Sequence, residues 1–126
     1  VRLFKKDKTE SRVGDTGESL ARDFLVGKGM KILAENYRTR WGELDLVARD
    51  GNTLVFVEVK TRTQKRFGSP LEAVTPDKQR RITRMAQTYL LEKGLGDVAA
   101  RFDVIGIDLT GGAPRIDWIP NAFGGL

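Results

Sequence analysis

The stretch Glu43-Leu44-Asp45-Leu46-Val47-Ala48-Arg49-Asp50-Gly51-Asn52-Thr53-Leu54-Val55-Phe56-Val57-Glu58-Val59-Lys60 decides how this chain is read. Its centre, Asp50-Gly51-Asn52, is a hairpin signal between two runs rich in apolar and β-branched residues. Glu43 to Arg49 and Thr53 to Lys60 are therefore expected as antiparallel neighbours. The second run is apolar on both faces until Glu58, the mark of a central strand covered from both sides. Side chains alternate along a strand, so Glu58 and Lys60 project from one face. With Asp50-Gly51 as a two-residue turn, Arg49 faces Asn52 and Asp45 falls opposite Phe56. Asp45 then shares that face and lies diagonal to Glu58. A slip of one residue would send Asp45 to the other face.

Working outward, Met30 to Tyr37 reads as a preceding strand. Before it, Leu20, Ala21, Phe24 and Leu25 form a helical stripe from about Gly14 to Lys28, closed by Gly27 and Gly29. After the hairpin comes a basic, glycine-containing loop, Thr61 to Ser69. A second helix opens with Thr75 as N-cap, Pro76 at the first helical position and Asp77 in the first turn. Its buried stripe is Ile82, Met85, Ala86, Tyr89 and Leu90, and Gly94 stops it. Phe102 to Leu109 and Arg115 to Ile119 read as closing strands around the turn Thr110-Gly111-Gly112. The fold class expected is α/β, a mixed β-sheet flanked by helices in the order α-β-β-β-α-β(-β), with a right-handed crossover between Leu54 and Leu109. Residues 1–12 read as a flexible basic arm and residues 13–126 as a single domain.

Composition narrows the chemistry. The chain has no cysteine and no histidine, which removes disulfides, thiolate catalysis, most structural zinc sites and serine–histidine machinery. A cysteine-free chain suits the cytoplasm. No apolar run nears the roughly 20 residues that span a bilayer, and Val1 to Arg12 has no apolar segment of the kind a secretory signal needs. Any catalysis must rest on carboxylates, lysine, backbone groups and a hard metal ion that prefers oxygen. The net charge of +5 is uneven: Lys60 to Arg84 carries eight basic and two acidic residues. The basic set is Lys60, Arg62, Lys65, Arg66, Lys78, Arg80, Arg81 and Arg84, the segment expected to bind nucleic acid. A solvated charged helix is the plainer account of the same residues.

Asp45 and Glu58, with a strand carbonyl, are the right donors for Mg2+ or Mn2+, and Lys60 can orient or deprotonate a water and offset charge on a phosphate. Taken singly, each has a duller explanation: Asp45 as a solvent-facing residue beside Gly42, Glu58 and Lys60 as a strand-end ion pair. Together they are harder to explain by packing, because aspartate is disfavoured in strands and a charged pair ends an apolar one. Glu18 shares a helix side with Ala21 and Leu25 and could join the site. Equally, Asp15-Thr16-Gly17-Glu18 has capping-box spacing, which would make Glu18 a first-turn residue of the helix. Glu43 fits an outer or rim position. Tyr37, Arg38, Arg40 and Trp41 could touch a sugar–phosphate backbone or stack on a base, with Trp41 as a core-edge residue the alternative. Lys78 and Gln79 could present a helix start to phosphate, or simply be exposed. Arg101 and Asp103 read as a structural pair.

Asp45 followed by Glu58-Val59-Lys60 resembles the PD-(D/E)xK signature of the restriction-endonuclease-like superfamily. With a preceding helical acid, Glu18, the element order is similar to that of archaeal Holliday-junction resolvases. A closer resemblance is to the uncharacterised YraN-like bacterial family. It rests on Gly17-Glu18, Asn36-Tyr37-Arg38, Gly42-Glu43-Leu44-Asp45-Leu46-Val47, Val55 to Arg62, Phe67-Gly68, Lys78, Arg101-Phe102-Asp103 and Asn121-Ala122-Phe123. The resemblance spans about Gly14 to Phe123. It implies a nuclease-like fold with Asp45 and Glu58 as metal ligands, Lys60 as catalytic lysine and Glu18 as the helical acid. Two departures stand out: no proline adjoins Asp45, and the second helix lacks the glutamine–tyrosine pair of some exonucleases.

Two functions follow. One is a Mg2+- or Mn2+-dependent endonuclease hydrolysing phosphodiester bonds in DNA rather than RNA, structure-specific in the manner of a junction resolvase. A junction presents two symmetric cuts, which a homodimer would match. The other is a non-cleaving nucleic-acid-binding or adaptor module on the same fold, although such a descendant usually loses Lys60 or a carboxylate.

Overall fold

A computed structural model describes residues 8–65 and 68–126. Helix α1 (Lys8–Gly27) leads into strands β1 (Lys31–Thr39), β2 (Gly42–Asp50) and β3 (Thr53–Arg62). A short 3-10 turn (Pro70–Ala73) precedes helix α2 (Pro76–Glu92), and strands β4 (Ala99–Asp108) and β5 (Arg115–Phe123) close the chain. The α/β class and the element order are as expected. The first helix starts at Lys8 rather than Gly14, so residues 8–12, expected in the basic arm, are helical, and residues 1–7 of that arm lie outside the described residues.

The strands form one mixed sheet in the order β1-β2-β3-β4-β5. β1, β2 and β3 make an antiparallel meander, β4 runs parallel to β3, and β5 returns antiparallel along β4. β3 is therefore central, which its apolar run requires: Val55 and Val57 bury toward α1, Leu54 and Phe56 toward α2. On the α1 face Ala21 and Leu25 pack against Leu46, Ala48, Val55, Val57, Ile105 and Ile107. On the α2 face Ile82, Met85, Ala86 and Tyr89 pack against Leu44, Val47, Phe56, Phe102 and Val104. Each helix hides one stripe, and burial of that stripe is what holds it to the sheet.

Helix ends are set by local chemistry. Gly29 follows α1 at φ 88°, and Met30 N–H donates to Leu25 O at 3.1 Å, closing the helix with a left-handed residue. The Thr75 side chain accepts from Lys78 N at the start of α2 as expected. Gly94, at φ 65°, ends α2 with Leu95 N–H donating to Leu90 O at 2.9 Å.

The hairpin turn sits one residue later than expected. Asp50 pairs with Thr53 and Arg49 with Leu54, leaving Gly51 (φ 60°) and Asn52 as the turn. Arg49 thus meets Leu54 instead of Asn52, an even displacement, so the side chains from Leu46 to Asp50 keep their faces. Glycine, rather than aspartate, takes the left-handed position, where it meets no Cβ penalty.

Candidate functional site

The β2–β3 ladder runs from Asp50–Thr53 to Leu46–Val57 and stops there. At the same point β2 loses its alternation: Leu44 and Val47 both bury toward α2, while Leu46 and Ala48 bury toward α1. Strict alternation would place Leu44 with Leu46. The irregularity falls on Asp45 and turns its carboxylate into the gap where the strands part. There Oδ2 accepts the Val59 N–H at 2.7 Å, a side chain standing in for a backbone acceptor.

Across the gap, Glu58 continues the face of Phe56 and is only 7% exposed. Its Oε1 receives two ammonium groups. Lys78, from the first turn of α2, lies at 2.9 Å, and Lys60, its neighbour on β3, at 3.6 Å. The closer cation is thus the helical lysine, assigned from sequence to a phosphate-facing surface. The Thr75 cap and Pro76 place Lys78 at the third helical position, from which its side chain points inward. Gln79 is also turned from phosphate duty, since its Nε2 donates to Val74 O at 3.0 Å.

The electrostatics divide labour among these groups. Burial, then the negative charge of Glu58, pushes the Asp45 carboxyl up to about 7, against the opposing pull of the Val59 N–H. Burial and the neighbouring Lys78 lower the Lys60 amine below an ordinary lysine, although Glu58 and Asp45 pull the other way. Burial acts on Lys78 in the same direction. Its bonds to Lys60 and Glu58, and the charges of Glu58 and Asp45, outweigh that effect and leave it raised. The two adjacent amines thus have their affinities for protons driven apart, Lys60 toward release and Lys78 toward retention.

Glu18 comes to the gap from α1. Because α1 begins at Lys8, Asp15-Thr16-Gly17-Glu18 lies inside the helix and is no capping box, which removes the helix-start explanation for Glu18. Its charge is felt at Asp45. With the Asn36 amide nitrogen facing the two acids, Asn36 bridges Glu18 Oε2 at 3.0 Å and Glu43 Oε1 at 2.9 Å. Asn36 adopts φ 52°, a left-handed conformation asparagine tolerates better than most residues. Nothing in its surroundings in the sequence marks this bridging role. Gly17 allows α1 to approach so closely, since a Cβ there would meet Thr61 Oγ1 at 1.9 Å.

Among the described residues no three carboxylates cluster in a way that would hold a metal ion. The donors available are the Asp45 and Glu58 carboxylates plus backbone oxygen, an all-oxygen set. It suits Mg2+ or Mn2+ and not a softer metal, because these ions keep several waters and need only one or two carboxylates.

The remaining sequence candidates scatter. Arg62 donates to Gly68 O at 3.1 Å, Arg80 pairs with Asp77, Lys65 and Arg81 are exposed, and Arg66 lies outside the described residues. The guanidiniums of Arg40 and Arg84 lie over the Trp41 ring, 4.5 and 4.6 Å from its centre, while Trp41 packs on the edge of the α2-side core. Arg38 pairs with Glu43. Tyr37 is not available for stacking on a base: it packs edge-on against Tyr89 and donates to Glu92. Burial and that bond push its hydroxyl up to about 12. Arg101 and Asp103 form the expected structural pair.

Comparison with known proteins places these residues in a wider set. The model of "Uncharacterised protein family UPF0102" matches residues 17–107. A UPF0102 protein of Geobacter metallireducens is 53% identical over 111 residues, covering 88% of this chain and 91% of its own. One from Symbiobacterium thermophilum is 50% identical over 113 residues, covering 89% and 96%. One from Geotalea uraniireducens is 43% identical over 123 residues, covering 96% and 97%.

Proposed function

The chain belongs to the YraN-like family UPF0102, and from that premise we propose that it is a Mg2+- or Mn2+-dependent endonuclease acting on DNA. The observation that carries this reading is the meeting of Asp45, Glu58 and Lys60 where β2 and β3 part, with Asp45 held on the Val59 N–H. Asp45 and Glu58 would hold the ion. When bound, it would lower the pKa of a water and offset charge on the phosphate. Lys60, with its weakened hold on a proton, takes or shares the proton of an attacking water at Nζ. Arg62, Lys65, Arg66, Arg80, Arg81 and Arg84 supply positive charge for the strand's phosphates. A branched DNA substrate met by a homodimer in the cytoplasm is the finer form of the proposal. Among the described residues no helix is long and apolar enough to cross a membrane.

One observation favours a second reading, a non-cleaving nucleic-acid-binding module: the Lys78 ammonium already sits on Glu58. The test is incubation with branched, single-stranded and duplex DNA in Mn2+. Cleavage by the wild type that chelation and Asp45→Ala both abolish is the expected result. Equal cleavage by wild type and Asp45→Ala removes the assignment. No cleavage of any substrate, with DNA binding that weakens steeply with salt, moves the protein to the second reading.

A further inference from the structure

Glu58 is a buried acid of the cleft, and its ion pairs are of an unusual kind. Both ion-pair partners bear on one oxygen, Oε1, and both are ammonium groups on flexible stems. The nearer, Lys78, belongs to a different element from the strand that carries Glu58. Its side chain is 30% exposed, so its charge lies at the border of the cleft and solvent. A point charge on a four-carbon chain can swing away without disturbing the backbone that bears it. The Thr75 cap, not the Lys78 side chain, holds the start of α2.

We propose that Lys78 is a resident counter-cation for Glu58, displaced when a divalent ion binds there and then free to take a phosphate oxygen of the substrate. This rests on the reading of Asp45 and Glu58 as metal ligands. The argument is electrostatic. Glu58 is buried, and a buried charge needs a paired partner. Lys78 supplies that cation at 2.9 Å. A divalent ion arriving at the same carboxylate repels the ammonium, so the two compete for one seat. Metal affinity is thereby lowered in the resting protein. The cation released sits on the α2 side of the cleft, where a phosphate would need it. Lys78 is set apart from Lys60 by its helix and by its shorter distance to the Glu58 oxygen they share.

The experiment is calorimetric titration of the full chain with MnCl2, without DNA, at pH 8 and low ionic strength. Lys78→Met is expected to bind Mn2+ roughly tenfold more tightly than the wild type, the release of one competing charge near a partly buried acid. Lys78→Arg, which keeps the charge, is expected to bind as the wild type does. Lys93→Met removes the same charge at the far end of α2 and is expected to leave affinity unchanged. Lys78→Gln serves as the second neutral variant should Lys78→Met lose its fold by circular dichroism. Affinity unchanged or weaker in the neutral variants overturns the proposal, as does an equal gain in Lys93→Met. Metal binding that Asp45→Ala abolishes but Lys78 variants do not alter leaves the site reading intact and removes only the role of Lys78. No Mn2+ binding by any variant removes both.

Discussion

Two buried acids stand on neighbouring strands and are served in opposite ways. Asp103 on β4 is 1% exposed and uses both carboxylate oxygens. Oδ1 accepts Arg101 Nε at 3.0 Å and Asn121 N–H at 2.9 Å, and Oδ2 accepts Trp118 Nε1 at 3.0 Å and a second Arg101 nitrogen at 3.4 Å. Arg101 in turn reaches Asp50 at the β2–β3 turn at 3.2 Å. The donors are planar or backbone groups that define direction, and they tie β4, β5 and the hairpin together. Glu58 on β3 is held instead by ammonium groups, which neutralise charge without dictating geometry. A fully directed network rigidifies a fold, whereas a loosely paired buried acid keeps the freedom to exchange partners. The contrast separates an acid that ties strands together from the acid proposed to hold a metal ion.

The contrast is most exposed to refutation by a pair of substitutions. Asp103→Ala leaves the Trp118 indole N–H and the Asn121 N–H without their acceptor and Arg101 with Asp50 alone, and should lower unfolding free energy by about 3 kcal/mol in urea titrations. Glu58→Gln should change stability by about 1 kcal/mol or less while abolishing cleavage. A stable Asp103→Ala protein, or an unfolded Glu58→Gln protein, would reverse the roles assigned to the two acids.

A smaller effect probes how closely α1 must approach the functional side alone. Gly17→Ala drives a methyl into Thr61 at the end of β3. It should cost about 1–3 kcal/mol by overpacking and impair cleavage beyond what the stability loss explains.

The smallest effect is one of pH. Asp45 binds its proton up to about 7 in the folded chain, far above an unfolded aspartate. Between roughly pH 4 and 7 the folded state therefore keeps a proton that the unfolded state has released. Stability from this group falls as pH rises through that window and levels off above it. Asp45→Asn should remove that slope and make the metal-free protein about 1–2 kcal/mol more stable than wild type at pH 8. Matching pH–stability curves for the two proteins would sink the idea. Mn2+ affinity should weaken as pH drops below about 7, because proton and metal compete for one carboxylate.

Much of the fold was legible because its signals are local. The Thr75-Pro76 helix start, the Asp50-Gly51-Asn52 turn and the apolar run of β3 each need only neighbours in the chain to be read. Which two residues make the turn is less legible, because aspartate and glycine both tolerate turns and only the left-handed conformation of Gly51 separates them. The start of α1 is less legible because Asp15-Thr16-Gly17-Glu18 imitates a helix start, while α1 runs through it from Lys8. Gly17 is there for closeness to Thr61, a contact between residues far apart in sequence.

For the candidate site the division is equally physical. Sequence alone determined that Glu58 and Lys60 share a strand face, because alternation is a property of the extended backbone. It also determined that any chemistry must use oxygen donors and amines, because cysteine and histidine are missing. Tertiary structure decided the rest. Asp45 enters the gap through an irregularity in β2 that alternation would not foresee. Asn36 joins Glu18 to Glu43 from a left-handed conformation that only the packed β1–β2–α1 arrangement selects. Lys78 turns from a surface cation into the nearest partner of Glu58 because α2 lies across that face of the sheet. Position along the chain says which charges exist; which of them meet depends on the packing of elements distant in sequence.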